Sequence, residues 1–288
     1  MDLIVGTPAG LFGLDDPTRP LLAGTRINHV ARAGDSWWAV DGKGRVHRDG
    51  EQVAQAMDGV VLNCLLPLDD RVLAGANDAR LFQVDGDRLV EDTGFAEAPG
   101  RERWYTPWGG PPDVRSMAAD AAGTVYVNVH VGGILRYDDD GLNPTLDQDA
   151  DVHQVIADRN RVGTVLAACA RGLAQSSDGR VFGYRDDGLH ASYCRAVALV
   201  GDTILLSAST GPRSNRARLY RGDSTSGSFE ACRDGLPEWF GENLDSHCLA
   251  VLDGVAYAGH ADTVWHSDDE GVTWAEASSG FSSITCLA

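Results

Sequence analysis

Short apolar segments separated by polar turns run along the whole chain and form a repeating series. The first type, which we name strand B, ends in small residues, and its copies are LIVGT (3–7), WWAVD (37–41), VLAGA (72–76), VYVNV (125–129), VLAAC (165–169), ILLSA (204–208) and VAYAGH (255–260). The second type, strand C, begins mostly with Gly or Arg, and its copies are GLFGL (10–14), RVHRD (45–49), RLFQV (80–84), GILRY (133–137), GLAQS (172–176), RLYRG (218–222) and TVWHS (263–267). Short apolar runs bounded by turn residues predict buried β-strands.

A third apolar segment, strand A, precedes strand B in every unit except the first. Its copies are INHVARA (27–33), VLNCLLPL (61–68), VRSMAAD (114–120), VHQVIAD (152–158), YCRAVAL (193–199) and SHCLAVL (246–252), with SSITCLA (282–288) as a seventh at the C-terminus. The chain therefore begins with strand B and ends with a lone strand A. We expect this last strand to complete the first blade and to close a ring.

The length of the unit predicts the architecture. Dividing 288 residues among seven units gives about 41 residues each, and units of this size with four short strands are typical of β-propellers. No stretch shows the helical periodicity that an α/β protein requires. We predict an all-β fold, a seven-bladed β-propeller in which residues 1–288 form a single domain.

Composition and charge limit the cellular compartment and the classes of binding partner that we expect for this protein. The formal charge is −18, and Lys43 is the only lysine, so the surface repels phosphate backbones and anionic lipids, and we expect neither nucleic acid nor membrane as a partner. The N-terminus has no basic, signal-like segment, which favours a cytoplasmic protein, and we expect a monomer. The six cysteines lack CxxC spacing, which predicts free thiols; they are Cys64, Cys169, Cys194, Cys232, Cys248 and Cys286.

One motif carries a family resemblance. Residues 267–274, SDDEGVTW, match the pattern SxDxGxTW of the Asp-box, and the chain resembles the Asp-box (BNR, sialidase-like) propellers. The resemblance implies that the motif is a structural turn between the outer strands of a blade, in which Asp269 accepts backbone hydrogen bonds, Gly271 has a positive φ and Trp274 packs between blades. The (F/Y)RIP motif of sialidases is missing, so we do not expect a sialidase.

Polar side chains recur where strand A begins. Two adjacent columns align there, namely Asn28, Asn63, Arg115, His153, Cys194, His247 and Thr285, and next to them His29, Cys64, Ser116, Gln154, Arg195, Cys248 and Cys286. Polar groups at one end of buried strands pair with each other, with water or with a ligand. The pattern thus predicts a ligand site at the mouth of the central channel, with simple hydrogen bonding at the crowded axis as the alternative.

The loops at this end hold most of the remaining aromatic and histidine side chains. The richest is RERWYTPWGGPPDVR (101–115), and LPEWFGENLDSH (236–247) is similar. We predict that the ligand-binding residues are Trp104, Tyr105, Trp108, His130, Tyr193, Cys194, Trp239, His260 and Asn28. The alternative for the first loop is an aromatic lid that covers the end of the core.

The chemistry of these residues favours a small polar or anionic ligand. We predict that His153 and His247 act as acid and base and that Arg115 grips an anion, which suits a lyase or a hydrolase. His130, His153, His247 and His260 are alternatively ligands of a divalent transition metal, and Cys248, Cys286, Cys64 and His29 form a second, softer candidate set. A non-enzymatic platform for protein interactions is the other functional alternative.

Overall fold

The computed structural model describes residues 2–288 and contains 28 strands in seven four-stranded sheets. The strands are β1 (Ile4–Thr7), β2 (Gly10–Gly13), β3 (Pro20–Ala23), β4 (Ile27–Ala33), β5 (Ser36–Asp41), β6 (Arg45–Arg48), β7 (Glu51–Gln55), β8 (Leu62–Pro67), β9 (Val72–Ala76), β10 (Arg80–Asp85), β11 (Arg88–Glu91), β12 (Val114–Ala119), β13 (Val125–Val129), β14 (Gly133–Asp138), β15 (Gly141–Leu146), β16 (Val152–Ala157), β17 (Val165–Cys169), β18 (Gly172–Ser176), β19 (Gly183–Arg185), β20 (Tyr193–Val200), β21 (Thr203–Ser209), β22 (Ala217–Asp223), β23 (Glu230–Ala231), β24 (Leu249–Leu252), β25 (Val255–His260), β26 (Thr263–Ser267), β27 (Ala275–Ser279) and β28 (Cys286–Leu287). The fold is a seven-bladed β-propeller, as the repeat predicts.

The C-terminal strand completes the first blade. The first sheet has the order β28-β1-β2-β3, whereas each of the other six sheets uses four consecutive strands. Strand β28 pairs antiparallel with β1 through Val5 opposite Leu287 and Gly6 opposite Cys286. The amide of Ile4 also donates to the carbonyl of Ala288 over 2.7 Å. The predicted closure is therefore confirmed, although the regular strand is shorter than the predicted segment 282–288.

Helical structure is confined to short pieces in the connections. The one α-helix among residues 2–288 is α1 (Thr93–Ala96), which Asp92 caps by accepting the Phe95 amide. The 3-10 helices are Asn77–Ala79, Arg101–Arg103 and Gln148–Ala150. No helix in the described part of the chain has the length and apolar character needed to cross a membrane.

The chain divides into two compact units, each of which we describe by itself. One contains residues 2–27, 168–174 and 184–288, and the other contains residues 28–167 and 175–183. The core of each is apolar, with Leu205, Leu219 and Trp274 in the first and Leu81, Val127 and Leu135 in the second. All six cysteines are buried thiols outside any disulfide, as predicted. The prediction of one single domain stays a prediction.

One strand begins later than the sequence predicts. Strand β24 starts at Leu249, whereas the predicted segment begins at residue 246. The amide of Cys248 donates to the carbonyl of Asp245, and His247 has a φ of 67°. This turn is incompatible with extended backbone at His247, so the strand forms only after it.

The predicted Asp-box turn joins β26 to β27. Asp269 Oδ1 accepts the Thr273 amide over 2.8 Å, and Asp269 Oδ2 accepts the Thr273 hydroxyl over 2.6 Å. Gly271 has a φ of 82°, and Trp274 is buried in a core cluster that includes Leu205 of the neighbouring sheet. The geometry expected of this motif is therefore present.

Candidate functional site

Three members of the first polar column hydrogen-bond the backbone of the next strand A. Asn28 Nδ2 donates to the carbonyl of Leu62 over 2.8 Å, and Asn63 Nδ2 donates to that of Val114 over 3.3 Å. The Thr285 hydroxyl donates to the carbonyl of Ile27 over 2.8 Å. These bonds join neighbouring blades, so the side-chain amide of Asn28 serves the scaffold.

Side chains of the second column also bond to the backbone of the next strand A, but here they accept hydrogen bonds from its amides. His29 Nδ1 accepts the Leu65 amide over 3.1 Å, and the Ser116 hydroxyl oxygen accepts the Val155 amide over 2.9 Å. In each pair the acceptor lies in one strand A and the donor in the next. Much of the polar pattern that predicts a ligand site therefore satisfies backbone groups where blades meet.

His130, Asp151 and His153 form a separate, convergent cluster. His130 Nε2 lies 3.0 Å from Asp151 Oδ1, and His153 Nε2 lies 3.8 Å from Asp151 Oδ2. One ligand atom from each side chain lies within 4.8 Å of the other two, and this is the one such group of His, Cys, Asp or Glu among residues 2–288. Of the four histidines predicted as metal ligands, His130 and His153 belong to this group.

Short local elements position these three side chains. His130 follows β13, and its amide donates to the carbonyl of Asp113 over 2.9 Å. Asp151 ends the 3-10 helix Gln148–Ala150 in a left-handed conformation with a φ of 47°, which aspartate tolerates better than most residues. His153 is the second residue of β16, so two strand ends and one turn bring the cluster together.

The two imidazoles are buried, whereas the carboxylate between them reaches solvent. The side chains of His130 and His153 are 5% and 1% exposed, and that of Asp151 is 32% exposed. Burial alone would raise the pKa of Asp151, but the hydrogen bond from His130 and the charges of His153, His130 and Arg115 outweigh it and hold the pKa below its ordinary value. Asp151 is therefore an accessible anion supported by buried imidazoles.

Arg115 and Asp113 extend the electrostatics of the cluster. Burial raises the pKa of Asp113, and the charges of Arg115 and His130 oppose this rise. Arg115 likewise acts on Asp151, so its half-buried guanidinium lies within electrostatic reach of both carboxylates. Two of the three predicted catalytic residues, Arg115 and His153, thus belong to one local group.

Trp108 covers one imidazole of the cluster. Its ring centroid lies 5.4 Å from that of His130, at an interplanar angle of 35°. Trp108 is 67% exposed and belongs to a tight turn in which the Thr106 amide donates to the carbonyl of Gly110. The exposed indole therefore packs on the imidazole of His130 and leaves a flat apolar surface open to solvent.

The other two aromatic residues of this loop have different environments. Trp104 is half-buried, lies 5.9 Å from Phe95 between ring centroids, and carries the Arg101 guanidinium over its ring. It packs against the core, as the alternative of an aromatic lid predicts. Tyr105 is 60% exposed.

The remaining predicted site residues lie in the other unit. Cys194 is fully buried, and Tyr193 is half-buried at the start of β20. His247 is half-buried, and its carbonyl accepts the Leu287 amide over 2.8 Å.

His260 and Trp239 both make ring contacts in this unit. His260 packs against Phe240 with ring centroids 5.0 Å apart, and burial lowers the pKa of the His260 imidazole. The Arg218 guanidinium stacks over the Trp239 ring, and its central carbon (Cζ) lies 3.8 Å from the ring centroid.

Sequence reasoning missed Asp151 and Asp113, although the repeat carries a signal for both. The segments PDVR (112–115) and ADVH (150–153) align, and each places an aspartate two residues before the first polar column. Strand alternation puts residues i and i+2 on the same face. Extending the columns outward by two positions would mark both aspartates, but alternation does not predict the contacts of Asp151, which lies in a left-handed turn with a φ of 47°.

Solved structures similar to this chain are β-propellers of distant sequence. Virginiamycin B lyase from Staphylococcus aureus has a TM-score of 0.62 and 11% identity, with 87% of this chain and 83% of that chain covered. A candidate 6-phosphogluconolactonase from Bacteroides uniformis has a TM-score of 0.59 and 10% identity, with 99% and 98% covered. The WD40 propeller domain of Doa1 has a TM-score of 0.58 and 16% identity, with 86% and 80% covered.

These likenesses support the fold alone, because propellers of this kind host many unrelated functions. Neither a family model nor a curated protein sequence matches this chain. The lyase and the lactonase-like protein show that catalytic propellers are among its structural neighbours, and the Doa1 domain shows that other kinds of propeller are too. The chemistry of this chain is therefore argued from its own residues.

Proposed function

We propose that this propeller binds a small anionic molecule at the cluster of His130, Asp151 and His153, with Arg115 as the anion-binding side chain. The observation that carries the proposal is the convergence of two buried imidazoles on one partly exposed carboxylate, within electrostatic reach of a guanidinium. Buried polar groups are costly unless they pair, and such a concentration is typical of functional sites. Trp108 supplies the apolar wall of the site.

The reaction that fits this arrangement is a lyase or a hydrolase step. The carboxylate of Asp151 orients an imidazole, and an imidazole held in this way is suited to act as a general acid or base. Arg115 would hold a carboxylate or phosphate group of the substrate while a histidine transfers the proton. The existence of lyase and lactonase-like structural neighbours is consistent with this class of chemistry.

Membership of the Asp-box superfamily is part of the proposal. It is supported by the one full motif at residues 267–274 and by the hydrogen bonds that Asp269 makes across the turn. The motif lies between the third and fourth strands of its sheet, so we assign it a structural role.

The test measures anion binding with two probes, inorganic phosphate and succinate. We expect at least one of them to bind the wild-type protein in isothermal calorimetry, and we expect Arg115→Ala to weaken that binding about tenfold or more because the bidentate contact is lost. Arg159→Ala is the matched control, since Arg159 is an exposed arginine of the same unit. Equal affinities for wild-type and Arg115→Ala proteins, or no binding of either probe, would contradict the proposal.

A protein-interaction platform is the second candidate function. It is favoured by the exposure of Tyr105 and Trp108, 60% and 67% respectively, because neighbouring exposed aromatics are typical of interface anchors. This alternative predicts that Trp108→Ala abolishes association with another protein detected by cross-linking in the native host, whereas Arg115→Ala has no effect on phosphate or succinate binding.

A further inference from the structure

We propose that His130, Asp151 and His153 bind one divalent transition metal ion, with Zn²⁺ as the best fit. The ligand atoms are Nε2 of each histidine and a carboxylate oxygen of Asp151, and they converge from two strand ends and a turn. The inference rests on the cluster of the proposed function, and it moves the acid–base role from the histidines to a metal-bound water, because an imidazole nitrogen that coordinates Zn²⁺ cannot also transfer a proton. It needs neither His247 nor His260.

The separations between the ligand atoms suit a tetrahedral ion. Bonds of about 2.0–2.2 Å from Zn²⁺ to imidazole nitrogen and carboxylate oxygen place neighbouring ligand atoms about 3.3–3.6 Å apart. The observed separations are 3.0 Å from His130 Nε2 and 3.8 Å from His153 Nε2 to the carboxylate oxygens. The first distance is to Oδ1 and the second to Oδ2, and one ligand atom from each of the three residues lies within 4.8 Å of the other two, so the three side chains would move closer together on coordination.

The donor set also selects the class of metal. Two imidazole nitrogens and one carboxylate oxygen suit Zn²⁺ and related transition ions, whereas Mg²⁺ and Ca²⁺ prefer oxygen ligands. Three protein ligands leave one tetrahedral position open, which is the pattern of catalytic zinc sites. The charge of Arg115 acts on the Asp151 ligand, and this positive charge would favour an anionic oxygen at the open position.

Two of the buried thiols, Cys64 and Cys232, do not compete for the ion in the folded protein. Burial raises the pKa of Cys64 to about 12 and that of Cys232 to about 12, so both stay protonated at neutral pH. Metal binding requires the thiolate. An ion taken up by the folded chain therefore reports on the nitrogen and oxygen cluster, and not on these two sulfurs.

The chain contains a useful internal comparison at Asp41 and His47. His47 Nε2 lies 3.1 Å from Asp41 Oδ2, and both side chains are buried. Arg45 donates to the same oxygen over 2.6 Å, so a cation already neutralises this carboxylate and no second histidine joins it. We expect no metal there, which makes His47→Gln the matched control for a buried histidine paired with aspartate.

The experiment titrates chelator-treated, folded protein with Zn²⁺ in calorimetry and counts bound ions by elemental analysis. We expect one ion per chain in the wild-type and His47→Gln proteins, and about a 100-fold or greater loss of affinity in His153→Gln and Asp151→Asn, because each removes a ligand. Circular dichroism establishes that each variant is folded. Absence of a stoichiometric ion in the wild-type protein, or unchanged affinity in folded His153→Gln, would overturn the proposal.

A second measurement on unmodified protein removes any dependence on how the variants fold. Co²⁺ bound in place of Zn²⁺ should show the absorption of a four-coordinate site, and its X-ray absorption spectrum should contain two imidazole ligands. A spectrum with sulfur ligands or with oxygen ligands alone would overturn the proposal.

The outcomes separate this inference from the proposed function. Stoichiometric Zn²⁺ together with unchanged phosphate and succinate binding in Arg115→Ala would leave the metal site standing and remove the anion site. Arg115-dependent anion binding by protein that takes up no ion would remove the metal site and leave the anion site standing.

Discussion

At the scale of the residue, single aspartates organise much of this molecule through backbone hydrogen bonds. Asp120 accepts the amide of Gly163 over 2.8 Å and that of Thr124 over 3.1 Å. Asp269 does the same across the turn between β26 and β27. An ionised carboxylate accepts several hydrogen bonds at once, which is why the turns of this acidic chain are built on aspartate.

Asp269 leads to a prediction about acid stability. Hydrogen bonds from the Thr273 side chain and backbone lower the pKa of Asp269 to about 2, below its ordinary value. Its stabilising contribution is thus fully present above pH about 4 and is lost as the pH falls towards 2. Asp269→Asn should lower the urea midpoint of unfolding at pH 6, and the difference from wild type should shrink progressively below pH 4.

The exposed Asp268 provides the control for this experiment. Asp268→Asn changes the net charge by the same amount in the same turn, and Asp268 is exposed and adjacent to Asp269. A pH-independent difference for Asp269→Asn, or an equal effect of Asp268→Asn, would show that the carboxylate does not stabilise the turn through its charge.

At the scale of the element, the start of several strands A joins neighbouring blades within each unit. Polar side chains there reach the backbone of the next blade, as Asn28 does to Leu62 and Thr285 to Ile27. A buried carbonyl without a hydrogen-bond donor destabilises the folded state, because it has lost its contacts with water and gained no replacement. These side chains therefore contribute to the alignment of the blades, and the polar columns cannot be read as ligand contacts alone.

Thr285→Val tests this structural role with almost no change in side-chain shape. It removes the hydroxyl donor to the Ile27 carbonyl and should lower the free energy of unfolding by about 1 kcal/mol, measured by urea denaturation. Ser283→Ala serves as the control, because Ser283 is exposed in the same segment. If both variants unfold at the wild-type midpoint, the bond is not a significant link between the blades.

At the scale of the whole molecule, the pairing of the two chain ends determines closure of the first blade. Gly6 lies opposite Cys286 in that pairing, and a methyl group added at Gly6 would overlap with the Cys286 sulfur and lie 3.1 Å from Ile27 Cγ2. The close approach of β1 and β28 therefore requires glycine at this position.

Gly6→Ala should consequently destabilise the propeller by about 1–3 kcal/mol through overpacking, as measured by equilibrium unfolding. Adding Cys286→Ala removes the overlapping sulfur and should restore part of the loss, with Cys286→Ala alone as the reference for the cycle. Additive effects of the two substitutions would mean that this contact does not limit closure.

The sequence also predicts parts of the candidate site, but less completely than the fold. The columns include Arg115 and His153 of the cluster, and the loop pattern includes Trp108 and His130, although their roles in a site stay predictions. Asp151, the residue on which the cluster converges, lies outside the columns because it occupies a left-handed turn between elements. Contacts between segments 20 or more residues apart have no period, so sequence spacing alone does not reveal them.

The sequence by itself determined the strands, their grouping into seven units and the closure by the last strand. Each of these features follows from a local pattern, namely apolar runs, turn residues and repetition, and the hydrogen bonds of antiparallel strands follow from chain order. Only the tertiary structure decided which polar side chains join blades and which converge. The difference arises because the backbone direction at a strand end determines which group a side chain contacts. Asn28 donates to the carbonyl of Leu62, whereas His153 lies near the carboxylate of Asp151.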